Sequence, residues 1–391
     1  MSVAPVGIAA SPRGENLYVT GFLDAVLTVI RTADATTTTI PLCFRPEGVV
    51  VGSDGCHLYI ADPMGSRIAV LDTTDHSMEF LAVGNQPFRM ALSGADLYVA
   101  NNQDGTVSVI DTIDNALIRT IPVGGHPYAV AAGGGRVYVT DYGFYSGQST
   151  HSVSVIDAAA GIVVYSIPVG YYPTGIAMSP NGKRCYVSND EGSYTASHPG
   201  TTTVIDTATN TVVDTLAVGG NSVAVGDDGC DVYVINHGHD GQFTSTLSIV
   251  DTITGRITGV PVHGMPNALA TSGDGIYLTD PWHSSVLQIT ARHATVVDSG
   301  AANDWPALTV TQLDPGDGSV VFGTTVSDPD DDNVTCTATQ PFSGTVTDVG
   351  DGRFRYQPNG RAERGFVDHF AITADDGHGG VVAKTVAVTV D

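Results

Sequence analysis

One short pattern recurs along this chain: an apolar strand with tyrosine in second place, written "LYVTG" (Tyr18), "LYIAD" (Tyr59), "LYVAN" (Tyr98), "VYVTD" (Tyr138), "CYVSN" (Tyr186), "VYVIN" (Tyr233) and "IYLTD" (Tyr277). The period is about forty residues, and a unit that short cannot bury its own apolar face; it must share a core with its neighbours. Each tyrosine strand is followed by a second apolar strand ("VSVID" at 107–111), a third ("ALIRTIPVG" at 116–124) and a turn, usually with proline. A fourth strand then ends in a glycine turn before the next tyrosine. Four short antiparallel strands per unit, with Gly, Asn and Asp at the corners, predict one blade of a propeller. Seven blades close a ring, so the expectation is an all-β chain, a seven-bladed β-propeller with a small β-sandwich behind it.

Composition agrees with strands and turns: 46 glycines, 20 prolines and only 15% charged residues. A net charge of −25 excludes a nucleic-acid partner, because phosphate binding requires a basic face, and makes cations the expected charged partners. Five cysteines (Cys43, Cys56, Cys185, Cys230, Cys336) lack zinc or haem spacing and read as ordinary buried thiols. No apolar stretch approaches the ~20 residues of a transmembrane helix. The start enters a repeat at once, without a signal peptide, which leaves the cytoplasm open alongside an exported location.

The strand ending "YVTN"-like, then "VSVIDT", "TIPVG" and proline, clearest at residues 97–127, resembles the YVTN family of propeller repeats. The resemblance covers about residues 3–300. It implies a bacterial or archaeal envelope or exterior location and a propeller over residues 1–300. Arg31 and Thr290 depart from the motif where Asp72, Asp111, Asp157, Asp206 and Asp251 stand, and Asn221 departs where a turn proline is usual. Those aspartates read as turn residues bonding their own backbone, not as metal ligands.

After Asn303 the forty-residue period stops. "DPDDDN", "GTV", "GRFRYQP", "DHF", "DDGHGG" and a closing "VAVTV" are similar to a bacterial cadherin-like or Ig-like sandwich module, assigned here to residues 301–391. In cadherin-like modules the matching loops resemble calcium sites. Asp328, Asp330, Asp332, Asp375 and Asp376 are therefore the expected Ca ligands, since calcium takes six to eight oxygens. The competing reading is an acidic solvated edge that resists aggregation.

Counting from the strand tyrosine to the end of the next strand locates the chain's additions. Tyr59 to Asp72 and Tyr98 to Asp111 span 13 positions, whereas Tyr138 to Asp157 spans 19, Tyr186 to Asp206 spans 20 and Tyr233 to Asp251 spans 18. The additions fall in one loop type of blades 4 to 6, between the second and third strands from the axis. Strand alternation puts those loops on the same face as the turns joining blades. That face collects His126, His151, His198, His237, His239, His263 and His283, with Tyr142, Tyr145, Tyr171, Tyr172, Tyr194 and Trp282. Surface loops tolerate insertion and histidine without any role. Additions confined to one face of a repeat array equally mark a binding face.

The reading is a non-catalytic extracellular or cell-surface recognition protein. Its ligand face carries the long loops, and the Ig-like module acts as spacer or adhesion unit. Expected partners are a cell-envelope or extracellular protein, a glycan or a small ligand. The alternative is a metal-assisted lyase or hydrolase acting on a small molecule at the same face, with His263 beside Glu47 or Asp280. No nucleophile motif such as GxSxG is present.

Overall fold

The computed structural model describes residues 4–142, 151–190, 200–227, 229–236, 244–272, 275–290, 293–297, 307–313, 320–327, 334–338, 344–358, 367–375 and 381–389. Among them every regular element is a strand. The chain divides into two compact units: Met1–Gly273 with Tyr277–Ser285, and Asp274–Ile276 with Val286–Asp391.

In the first unit, six four-stranded antiparallel sheets follow one another, each made of four consecutive strands. The third repeat shows the pattern: Pro87–Ser93, Asp96–Asn101, Thr106–Asp111 and Ala116–Pro122. The second and third strands are buried throughout, while the fourth is exposed along most of its length. That gradient is what a radial sheet produces. Inner strands are covered by neighbouring sheets on both faces, and the outermost strand meets water.

The first strands of seven repeats pack side by side in cyclic order, and the last (Ala268–Ser272) meets the first (Pro5–Ala10). Asn267 Nδ2 donates to the Val6 carbonyl at 3.3 Å across this junction. This is a closed, propeller-like ring, and its six complete sheets exchange no strand.

The recurrent motif has a physical reading position by position. The tyrosine is buried in every described repeat, at 1% exposure for Tyr59 and 0% for Tyr138. Its hydroxyl needs a partner when buried, and in two repeats it reaches the next sheet. Tyr59 donates to Asn115 Oδ1 at 2.8 Å and Tyr138 to Asn210 Oδ1 at 2.9 Å. Both asparagines adopt positive φ (48° and 53°) in the outer turn, a conformation asparagine tolerates.

The threonine two places after the tyrosine solves a different problem. Where the inner strand slips register beside its turn proline, an amide falls out of the ladder. Thr20, Thr140 and Thr279 accept it: Gly7 N, Ala129 N and Ala268 N lie 2.9, 3.0 and 3.0 Å from the respective Oγ1. The aspartates after the third strand behave as the sequence suggests. Thr74 N donates to Asp72 Oδ1 at 2.7 Å, Ile113 N to Asp111 at 2.8 Å and Ala208 N to Asp206 at 3.0 Å.

The second unit has two sheets. One runs Ala307–Leu313, Val320–Ser327, Arg353–Pro358, Gly344–Gly350; the other pairs His293–Val297, Val381–Thr389, Val367–Asp375 and Thr335–Ala338. Leu308, Phe322, Phe354 and Tyr356 from the first share one core with Ile372, Ala374, Val386 and Val388 from the second, which makes a β-sandwich.

Candidate functional site

The site is built on the inner strands' register slip. In the third repeat Pro87 faces Asn101, and pairing resumes at Met90 opposite Val99. In the fourth, Pro127 faces Asp141 and pairing resumes at Val130 opposite Val139. Phe88 and Tyr128 lie inside these slips, on the side where repeats are joined. Their rings are 5.5 Å apart.

From Tyr128 the run of aromatic contacts continues. Tyr128 is 5.3 Å from Tyr142, and Tyr142 is 5.9 Å from Tyr172. His151 lies 5.5 Å from Tyr172 and 4.6 Å from Tyr171. Six rings from three repeats thus form one chain of contacts at separations where tilted and edge-on pairs are favourable. Five are half-buried; Tyr171 is 62% exposed.

Several contacts hold this arc. His126 N donates to Asp141 Oδ1 at 2.8 Å, and Tyr142 N donates to the His126 carbonyl at 3.1 Å, so the joining turn and the end of the second strand are pinned together. His151 (φ 40°) and Tyr172 (φ 52°) both occupy the left-handed region, and Tyr172 N points at His151 Nδ1 at 3.4 Å. That bond needs an unprotonated Nδ1. Burial pushes the His151 pKa below its ordinary value, partly offset by the charge of Asp141.

His283 is engaged differently. Its Nδ1 is 2.6 Å from Asp280 Oδ2, and Asp280 Oδ1 accepts from Trp282 N at 3.0 Å and from Met265 N at 3.3 Å. The second repeat has the same device with another cation: Asp62 binds Gly65 N and the Arg67 guanidinium at 2.9 and 2.7 Å. The Asp280–His283 pair therefore matches a turn lock found elsewhere in the ring. Trp282 beside it is 64% exposed.

Of the residues expected at the ligand face, the structure brings Tyr142, His151, Tyr171 and Tyr172 together. It sets His126 at their base and places Trp282 and His283 in the corresponding turn of the seventh repeat. Tyr145, Tyr194, His198, His237 and His239 lie outside the described residues, as do Asp328, Asp330, Asp332 and Asp376; the side chains of His263 and Asp375 lie outside them too. Among the described residues no group of three or more His, Cys, Asp or Glu side chains could hold a metal ion. None of the five cysteines is in a disulfide, and only Cys185 is buried, with Cys43 and Cys56 exposed, which corrects the expectation of buried thiols. Cys43 lies just after the outer strand Thr37–Pro41 and Cys56 just before the strand His57–Asp62, both in connecting segments.

Sequence reasoning missed Phe88 and Tyr128. Their signal was available: both directly follow the turn proline ("QPF", "HPY"), where other repeats place Val6, Glu47, Thr174 or Asn267.

Residues 293–389 match the family described as a bacterial Ig domain. No curated protein matches the chain. Among solved structures, the hydrazine synthase of Kuenenia stuttgartiensis is similar at 21% identity and a TM-score of 0.63, over 74% of this chain and 96% of that one. The RRP9 WD40 repeats are similar at 14% identity and a TM-score of 0.59, over 72% and 88%. A functionally unknown protein from Desulfotomaculum acetoxidans follows at 14% and 0.57, over 70% and 92%. Identities this low speak to the fold alone. Among the described residues no helix is long and apolar enough to cross a membrane.

Proposed function

We propose that this chain is a non-catalytic recognition protein of the bacterial envelope or exterior. A seven-bladed YVTN-type propeller presents its long-loop face to a partner, and the Ig-like module serves as spacer or adhesion unit. The observation that carries the reading is the continuous arc Phe88, Tyr128, Tyr142, Tyr172, His151 and Tyr171 on the face where the additions of blades 4 to 6 emerge. Aromatic rings with hydroxyls supply large contact area at low entropic cost, the composition that recognition surfaces favour. A net charge of −25 disfavours anionic polymers, so the ligand is an uncharged or cationic glycan or protein surface.

Among the described residues of this face the lyase or hydrolase reading finds one histidine–carboxylate contact, Asp280 with His283, the side chain of His263 lying outside them. Both Asp280 oxygens are already committed to the turn, and the equivalent Asp62–Arg67 pair has no base, which favours a structural role.

The test is binding of the intact chain to arrayed envelope glycans and to bacterial surface proteins, repeated with Phe88→Ala/Tyr128→Ala. A ligand held by the wild type and released by the double variant supports the reading. A ligand held equally by both places recognition elsewhere and defeats it.

A further inference from the structure

The ring axis holds a second, separate feature. A cavity of about 400 Å³ is lined by the inner strands, Ile8, Met90, Val130, Ile176 and Leu269 among them, and its exposed surface is more polar than apolar. Arg89 also lines it. At the equivalent place the other repeats carry Gly7, Gly48, Ala129, Gly175, Ser222 and Ala268, because adjacent inner strands approach closely there. A Cβ on Gly48 would collide with the Phe88 carbonyl, and one on Gly175 would come within 2.9 Å of Val223 N. An arginine at a position otherwise kept small is costly to ordinary packing and calls for a reason.

Its counterpart is Glu47, one residue before cavity-lining Gly48 and in the register position of Thr174 and Asn221, both of which line the cavity. Arg89 and Glu47 are both half-buried and feel each other's charge. Neither side chain makes a hydrogen bond or ion pair with the described residues. Asn221 Oδ1, on the same tier, is buried and has no partner among the described residues either, although Asn221 Nδ2 reaches the Asn267 carbonyl at 3.2 Å. A guanidinium and a carboxyl that feel each other's charge beside the hollow, each without a hydrogen bond or ion pair to the described residues, offer complementary charges to a ligand between them.

We infer that the axial cavity binds a small zwitterion of the α-amino-acid type, its carboxylate on Arg89, its ammonium on Glu47 and its side chain in the hollow. A net-neutral ligand suits a protein whose overall charge of −25 would repel a simple anion. The volume falls within the usual range of about 300–1,000 Å³ for small-molecule sites. Burial raises the Glu47 pKa, with Arg89 partly opposing, and an ammonium placed beside it would draw that pKa down.

The test uses the intact chain and calorimetric titration with leucine, phenylalanine and glutamine, alongside 4-methylpentanoate and 3-methylbutylamine, which each keep one of leucine's charges. Arg89→Ala and Glu47→Val are suitable variants because Ala129, Ala268 and Val6 already occupy those register positions, so the ring tolerates them. At least one amino acid should bind, at least about tenfold more weakly in either variant, as for loss of a charged hydrogen bond. The single-charge analogues should bind more weakly than leucine. No binding by any of the three amino acids, undiminished binding in Arg89→Ala, or 4-methylpentanoate matching leucine would each overturn the inference. None of these outcomes depends on the aromatic arc.

Discussion

The hydroxyl of Tyr59 links two sheets, and removing it measures how much the ring depends on such links. Tyr59 is 1% exposed and donates to Asn115 Oδ1 at 2.8 Å, while Asn115 Nδ2 donates back to Glu79 Oε1 at 2.8 Å, so one outer-turn residue of the third repeat is tied twice to the second. Burial and nearby carboxylates, Asp54 first, push the Tyr59 pKa up to about 12, so the group is a neutral donor throughout the working range. Tyr59→Phe keeps the ring and its packing and removes a hydroxyl shared between Asn115 Oδ1 and, at 3.3 Å, the Thr112 carbonyl of the same turn, a loss of about 1 kcal/mol. For a unit of this size that is a fall of roughly 2–4 °C in melting temperature. Asn115→Gly is the matched partner change, since Gly161 and Gly255 hold the same turn position at positive φ. In urea unfolding followed by circular dichroism, the double-mutant cycle should return a coupling of about 0.5–1 kcal/mol. Tyr98→Phe is the internal control. Its hydroxyl has only Asp96 Oδ2 at 3.3 Å, and the following repeat offers Gly161 where an asparagine would stand. Additive single losses would assign the hydroxyl's bond to the Thr112 carbonyl rather than to Asn115, and a Tyr98→Phe loss equal to that of Tyr59→Phe would refute the idea that these hydroxyls stitch neighbouring sheets.

Four further outcomes follow from the same structure. Gly161→Asn, made with Arg119→Ala because Arg119 occupies the space of a new Cβ, should give Tyr98 the partner it lacks and raise stability over Arg119→Ala alone in the same urea assay. Backbone amides hold the Asp206 and Asp251 carboxyls below their ordinary pKa, so their contribution is complete above the unfolded value of about 3.9 and vanishes as pH falls through the folded value. The stability difference between wild type and Asp206→Asn, read from melts across that range, should therefore shrink on acidification. His151, whose folded pKa is depressed, stabilises the chain above the unfolded value near 6.5, and that part is lost as pH falls through the lower folded value. His151→Asn, which keeps an acceptor and tolerates positive φ, should abolish that segment of the pH-melting curve. In thiol labelling of the native chain, Cys43 and Cys56 should react first, while Cys185, whose thiolate burial disfavours, should react only on unfolding.

Much of the architecture was readable because the residues that build it repeat. Tyrosine, valine and threonine recur at fixed places, and each recurrence corresponds to one packing or hydrogen-bonding task, so period and strand order could be taken from the pattern. The aspartates after the third strand were equally legible, since an Asx turn depends on two or three neighbouring residues. The site was legible only in part. Tyr142, His151, Tyr171 and Tyr172 stand out as aromatics beside additions. Phe88 and Tyr128 do not, because they follow a proline that every reader assigns to a turn, and an aromatic there looks like a core residue. What identifies them is a register slip between two strands, a property of pairing that no local spacing reveals. Arg89 was hidden for the opposite reason: its oddity appears only when seven inner strands are set in register and six show Gly, Ala or Ser.

That register slip also explains how one scaffold can carry different chemistry at each repeat. Inside the slip the side chain after the proline is released from alternation with the core, and the amide left over is taken by a threonine of the next strand, as Thr20, Thr140 and Thr279 show. At Phe88 and Tyr128 the position thereby lies outside the strand pairing and is half-buried, whereas Thr174 at the same place is buried and donates to the Gly220 carbonyl at 2.9 Å. Val6, Phe88, Tyr128 and Thr174 occupy the slip in the first, third, fourth and fifth repeats; in the second and sixth, where Glu47 and Asn221 take the equivalent place and Gly220, not Asn221, stands for the turn proline, the inner strand is shorter, Val49–Val51 and Ser222–Val225. A substitution at Phe88 or Tyr128 should alter binding while leaving stability nearly unchanged, whereas the same substitution two residues further on, at Met90 or Val130, would open a cavity in a shared core and cost about 2–5 kcal/mol. Phe88 and Tyr128 of the aromatic arc, and Arg89 at the axis, all lie inside such slips, which is why they leave the repeat that produces the fold undisturbed.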